Sequence, residues 1–153
     1  MDGRRVGRAT AAGVGDQIVQ RKLPIKRLKE IVARMPFNSL IGITLSRVHP
    51  DGVTIECKLK PEIMNGAGML HGGVTATLAD SAVGIAIMRH FNGERRITTV
   101  ELKVNYFRPV ISNKVIAQAR LRRIGNHLCI GQVDIFDSEK NLAGIAIVTY
   151  MLL

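Results

Sequence analysis

Residues 65–90 read NGAGMLHGGVTATLADSAVGIAIMRH, and this stretch decides how the rest of the chain is arranged. From Gly73 onward it is apolar on nearly every side, which marks a helix buried all round rather than one lying on a surface. Ala76, Ala79, Ala82, Gly84 and Ala86 are small, so a sheet can come close to its backbone. The helix is expected over residues 73–90, after a glycine-rich loop at 65–72.

Strand-like runs flank this helix on both sides. Residues 41–49 and 53–60 alternate about a Pro50-Asp51-Gly52 turn. After an Asn92-Gly93 turn, β-type runs follow at about 96–107, 114–124, 127–136 and 142–152, with Gly125-Asn126 and residues 138–141 as further turns. In the first of these, Val100, Leu102, Val104 and Tyr106 alternate with Glu101, Lys103 and Asn105, the period of a half-buried strand. The predicted order is β-β-α-β-β-β-β. An α+β arrangement, a curved antiparallel sheet wrapped around one long central helix, accommodates all of it.

The N-terminal part differs. Residues 1–15 are rich in Gly, Ala and Arg and read as a flexible tail. Asp16 suits the cap of a short first segment. Pro24 suits the first turn of a second helix, with Leu28, Ile31 and Val32 on one face and a stop at Pro36. The chain thus divides into a basic tail and helical extension, 1–37, and a main domain, 38–153.

Composition narrows the classes. The 153 residues suit one domain, and 46% hydrophobic with 22% charged residues excludes a disordered chain. Aromatic residues make up only 4%, with no Trp, so stacking platforms for single-stranded nucleic acid are not expected. Cys57 and Cys129 sit in alternating apolar stretches and read as small core hydrophobes of a reducing compartment. Neither an apolar signal region nor a transmembrane-length run is present, so the expectation is a cytoplasmic protein that does not enter membranes. The net charge of +10 favours anionic partners without choosing among them.

One residue breaks the apolar helix. Asp80 has a short side chain that competes for backbone bonds, and an unpaired buried carboxylate costs several kcal/mol. Three readings stay open from spacing alone. Asp80 faces solvent on a stripe with Thr77, Ser81 and Gly84; or it is a buried structural residue; or it points into a cleft as a catalytic base or nucleophile. The preceding loop bears on this, because glycines entering a helix leave backbone N–H groups uncovered at its positive end, a place for an oxyanion. Gly72 and Asp80 stand about 12 Å apart along one helix, at about 1.5 Å per residue, too far to meet at one reacting carbon. If both act together, Asp80 must come from a second subunit, across an isologous interface with antiparallel helices.

Other motifs lead nowhere. Gly66-Ala67-Gly68 lacks dinucleotide-loop spacing, His71 has no metal-ligand partner, no Ser sits in a nucleophile elbow, and Cys129 with His127 lacks an orienting third group. No metal is expected.

The stretch NGAGMLHGGVTATLADSAVG resembles the signature of the hotdog-fold acyl-CoA thioesterases of the phenylacetate-degradation type: an Asn, a short glycine loop, His-Gly-Gly, and an Asp eight residues after the first paired glycine. The resemblance extends through TTVELKVNYFRPV and covers roughly residues 38–152. It implies a hotdog fold and hydrolysis of an acyl-CoA thioester, with coenzyme A entering as part of the substrate and no other cofactor. It implies that the Gly72 N–H holds the thioester carbonyl and that Asp80 of a partner subunit attacks it or activates a water. Asn65 then positions carbonyl or water, and His71 contacts the thioester region or orders the loop. Thr99 matches a position where a small hydroxyl residue helps hold the water. Strand alternation conflicts with this, since it turns Thr99 away from the helix and makes Thr98 a rival. The positive charge gains a role on coenzyme A phosphates, with Arg95, Arg96, Arg108, Arg122 and Arg123 as candidates at strand ends and turns.

The resemblance further implies a homodimer or homotetramer. Met64, Met69, Met88 or Phe91 would set the depth of the acyl pocket. Two other functions remain: a hotdog hydratase or dehydratase on acyl thioesters, although the proline-containing dehydratase loop is missing, and an acyl-CoA sensor that binds DNA through the basic segment 16–35.

Overall fold

A computed structural model describes residues 21–153. The expected tail at 1–15 and the cap at Asp16 lie outside the described residues. Helix α1, Ile25–Arg34, buries Leu28 and Val32 and turns Lys26, Arg27 and Lys29 outward. Pro36 ends α1, as its spacing predicts, but it also opens a second helix, α2, Pro36–Ile41, that the sequence reading did not contain. The reason is positional: a proline that cannot continue one helix is preformed for the first turn of the next. Gly42, at φ 92°, closes α2 in the left-handed region with its N–H on the Asn38 carbonyl. The boundary expected between residues 37 and 38 falls within α2.

The strands are β1 (Ile43–His49), β2 (Gly52–Lys58), β3 (Ile97–Tyr106), β4 (Lys114–Ile124), β5 (Leu128–Asp137) and β6 (Leu142–Leu152). They form one open antiparallel sheet in the order β1-β2-β4-β5-β6-β3. The long helix α3, Gly72–His90, lies in the curve of the sheet. This is the hotdog arrangement of a sheet around a central helix, with the N-terminal helices against β1.

Small residues set the distance between helix and sheet. A Cβ on Gly131 of β5 would stand 2.6 Å from a Val83 methyl, so the backbone of β5 touches α3 where only glycine fits. Leu78, Ile87 and Val83 of α3 are fully buried against Ile55, Val115, Val133 and Ile135. Each such aliphatic side chain contributes about 1.5–3 kcal/mol by leaving water. Cys57 and Cys129 lie in this core, and burial pushes both thiols up.

Two features depart from the sequence expectation. Helix α3 is not buried all round within the chain: Thr77, Asp80, Ser81, Gly84 and Met88 form a half-exposed flank. Strand β3 beside it is an edge strand with Val100 48% and Tyr106 55% exposed. Its pairing with β6 slips between Thr99 and Glu101. That bulge at Val100 inverts the alternation, so Thr99, paired with the buried Tyr150, faces α3, while Thr98, paired with Met151, faces away. Among the described residues no helix is long and apolar enough to cross a membrane.

Candidate active site

Helix α3 carries both halves of the site. At its start, His71 is the N-cap, and its Nδ1 accepts the Gly73 N–H at 3.0 Å. A neutral His71 ring therefore carries its proton on the exposed Nε2. The Val74 and Thr75 N–H groups both turn to the His71 carbonyl. The Gly72 N–H is left without a hydrogen-bond partner among the described residues, an orphan donor at the positive end of the helix. The Tyr106 hydroxyl donates to the Gly72 carbonyl at 2.9 Å and holds that peptide from β3. The sequence reading missed Tyr106, which appeared only as an inward position of a strand.

Asn65 folds the loop onto itself. Its Oδ1 accepts the N–H groups of Ala67 (3.0 Å) and Met69 (3.1 Å), and its own N–H donates to the Met69 carbonyl at 2.7 Å. Two backbone donors on Oδ1 fix which way the amide points, so its Nδ2 is the end left to donate to a ligand. Asn65, Gly72, Tyr106 and Arg108 share a depression of about 260 Å³.

Two turns along α3, Asp80 opens into a second depression of about 220 Å³. Asp80 is half-buried and has no cationic partner among the described residues. Its Oδ1 accepts the Thr99 hydroxyl at 2.9 Å. The Tyr150 hydroxyl donates to the Asp80 carbonyl at 3.0 Å, and Tyr150 stands so close to α3 that a Cβ on Gly84 would lie 2.9 Å from its oxygen. Burial first, and the Asp80 charge with it, raises the Tyr150 phenol despite the lowering effect of the Thr99 hydroxyl, so it remains a donor. Of the three readings of Asp80, the fully buried structural one does not describe the geometry: Asp80 lies on the half-exposed stripe with Thr77, Ser81 and Gly84 and also borders the second depression. The sequence reading also missed Tyr150.

The structure brings together Asp80 with Thr99, and Asn65 with Gly72 and Arg108; His71 caps the same helix. The two groups occupy separate depressions within one chain. Arg95 and Arg96 are exposed just before β3, with the Arg95 guanidinium 6.0 Å from the Phe91 ring. Arg122 bonds Gln132 at 3.2 Å on the face of the sheet away from α3, and Arg123 lies exposed beside it near the end of β4. Among the described residues no group of three or more His, Cys, Asp or Glu side chains is placed to hold a metal ion.

A larger depression, about 410 Å³, lies elsewhere, on the outer face of the sheet. There His49 Nε2 and Thr54 Oγ1 are 2.7 Å apart, a base beside a hydroxyl. Among the described residues no helix N-terminus lines that depression and no carboxylate bonds the histidine, so the pair has neither an oxyanion donor nor an orienting group there.

The model of the family described as the thioesterase superfamily matches residues 67–143, which include Gly72, Asp80 and Thr99. The medium/long-chain acyl-CoA thioesterase YigI of Escherichia coli K12 is 29% identical over 136 residues, covering 79% of this chain and 88% of that protein. Acyl-coenzyme A thioesterase 13 of Mus musculus is 31% identical over 114 residues, covering 72% of this chain and 81% of its own. The crystal structure of a thioesterase from Haemophilus influenzae superposes with a TM-score of 0.80 at 24% identity, over 88% of this chain and 93% of that one.

Proposed function

The chain belongs to the thioesterase superfamily and is a thioester hydrolase, and we propose that it hydrolyses acyl-CoA at a site that two copies of the chain build together. The observation that carries this reading is the split within α3. An unpartnered N–H at Gly72 and a cleft carboxylate at Asp80 lie in two depressions, about 12 Å apart along one helix. Neither half suffices alone. The half-exposed flank of α3 and the open edge strand β3 border Asp80, and they support pairing of two chains through this face.

In the proposed reaction Asp80 is the general base. Thr99 occupies Oδ1, leaving Oδ2 without a donor among the described residues. Oδ2 takes a proton from a water, whose oxygen bonds to the thioester carbon. The carbonyl oxygen becomes an oxyanion on the Gly72 N–H of the other chain, with the Asn65 Nδ2 beside it. The carbon–sulfur bond then breaks, and the proton held by Asp80 returns to the leaving thiolate, giving free acid and coenzyme A. One preorganised donor at the oxyanion supplies roughly 10²–10³ in rate, and a positioned base roughly 10²–10⁴. Arg108, which shares the depression with Gly72, is the arginine proposed to meet a phosphate of coenzyme A.

The test is thiol release from short, medium, long and aromatic acyl-CoAs by the wild type, Asp80→Asn and Asp80→Ala. Both variants should keep their melting temperature and mass in solution while losing roughly 10²–10⁴ in kcat. Full activity in Asp80→Ala refutes the assignment.

A further inference from the structure

The depression that holds Asp80 is not built by the family-matched segment alone. Met35 and Asn38, from the junction of α1 and α2, form part of its wall, and both lie before the matched residues 67–143. We infer that the N-terminal helical extension closes the acyl-chain pocket and that Met35 sets the chain length the enzyme accepts. This rests on the reading of Asp80 as the group at the thioester.

The groove follows α3 from Asp80 past Gly84 to Met88, about 12 Å at the helical rise. Gly84 carries no side chain, which lets the Tyr150 hydroxyl come up against the helix and form part of the floor. Ile97 of β3 and Ile85 of α3 add apolar surface, and among the described residues Asp80 is the only charged one that lines it. Such a lining suits a saturated hydrocarbon chain extending from a thioester held at Asp80.

Met35 is held in a fixed position. Asn38 is 4% exposed, and its Nδ2 donates to the Val32 carbonyl at 3.1 Å and to the Met35 sulfur at 3.2 Å. A methionine has three rotatable bonds and ordinarily adapts to what it meets. A buried amide clamped on its sulfur takes that freedom away and makes it a wall with a defined place. The extension is itself anchored: Leu28 and Val32 are in the core, and the Leu23 N–H bonds the Arg89 carbonyl at 2.9 Å, at the far end of α3. Of the four residues expected to set pocket depth, Met88 lines this groove. Met69 lines the Gly72 depression instead, and neither Met64 nor Phe91 lines either one.

The experiment compares the full-length wild type, Met35→Ala and Met35→Phe. It measures kcat/KM on butanoyl-, octanoyl- and dodecanoyl-CoA, and binding of the matching alkyl-CoA thioethers by calorimetry. Each methylene the wall newly admits or excludes changes affinity roughly fourfold. Met35→Phe should lower octanoyl and dodecanoyl relative to butanoyl by about tenfold or more, and Met35→Ala should move the optimum to longer chains. Met35→Ala removes bulk without overpacking, so it carries the test if Met35→Phe does not fold. Profiles that shift in parallel at every chain length, or not at all, overturn the inference while turnover persists. Absent turnover with length-dependent thioether binding that Met35 variants reshape instead overturns the hydrolytic reading and upholds the pocket.

Discussion

Replacing Gly72 by proline removes one backbone N–H and little else. Gly72 is the first residue of α3, where a proline is tolerated because its missing N–H has no intrahelical partner. The preceding residue, His71, already has ψ 131°, inside the region a following proline demands. A Cβ at position 72 would meet the Tyr106 ring and hydroxyl at 3.5–3.6 Å, ordinary contact. The helix should therefore survive Gly72→Pro, and Gly72→Ala, which keeps the donor, is the matched control. If the Gly72 N–H carries the oxyanion, Gly72→Pro lowers kcat by roughly 10²–10³, while Gly72→Ala stays within a few-fold of wild type. Initial rates of thiol release on a saturating acyl-CoA measure this, with circular dichroism to verify the fold. A folded Gly72→Pro with wild-type kcat refutes the role of this peptide.

Asp80→Ala and Asn65→Ala, each inactive alone, should recover about a quarter of wild-type activity when refolded together in equal amounts. Half of randomly formed dimers are mixed, and each mixed dimer holds one intact site of two; no recovery despite heterodimers seen by native mass spectrometry defeats the shared site. Thr99→Val removes the hydroxyl that donates to the Asp80 carboxylate, and kcat should fall by about tenfold, as expected for a lost charge-assisted hydrogen bond of roughly 1.5 kcal/mol, with KM little changed. Gly131→Ala forces a Cβ to 2.6 Å from a Val83 methyl and should cost about 1–3 kcal/mol in urea unfolding; a neutral substitution would mean that α3 and β5 are not tightly packed. Asp137 ties the β5–β6 turn through the Asn141 side chain and the N–H groups of Glu139 and Asn141, which hold its carboxyl below the usual 3.8. A depressed carboxyl stabilises the fold above its unfolded pKa, and that contribution is lost as pH falls through the folded value. The melting temperatures of wild type and Asp137→Ala should therefore differ at neutral pH and converge only after the pH has fallen past 3.8 and through the depressed folded value.

The sequence by itself determined the class and order of the main elements. A long apolar helix with small residues at 76, 79, 82, 84 and 86 requires a sheet on it, and the alternating runs match all six strands to within about two residues. It also singled out Asp80, because a carboxylate in an apolar helix has a cost that demands an explanation. What it could not contain was parity and proximity. Counting alternation along β3 turned Thr99 away from α3; the bulge at Val100, an adjustment to pairing with β6, turned it onto Asp80. Pro36 was legible as an end and not as a beginning, since the same locked φ serves both. Tyr106, Tyr150, Met35 and Asn38 carry no local signal, for each matters only through a residue distant in the chain that folding brings to it. Local chemistry is written in residue type and spacing, whereas a site is written in distances across the sheet, and only the folded chain sets those.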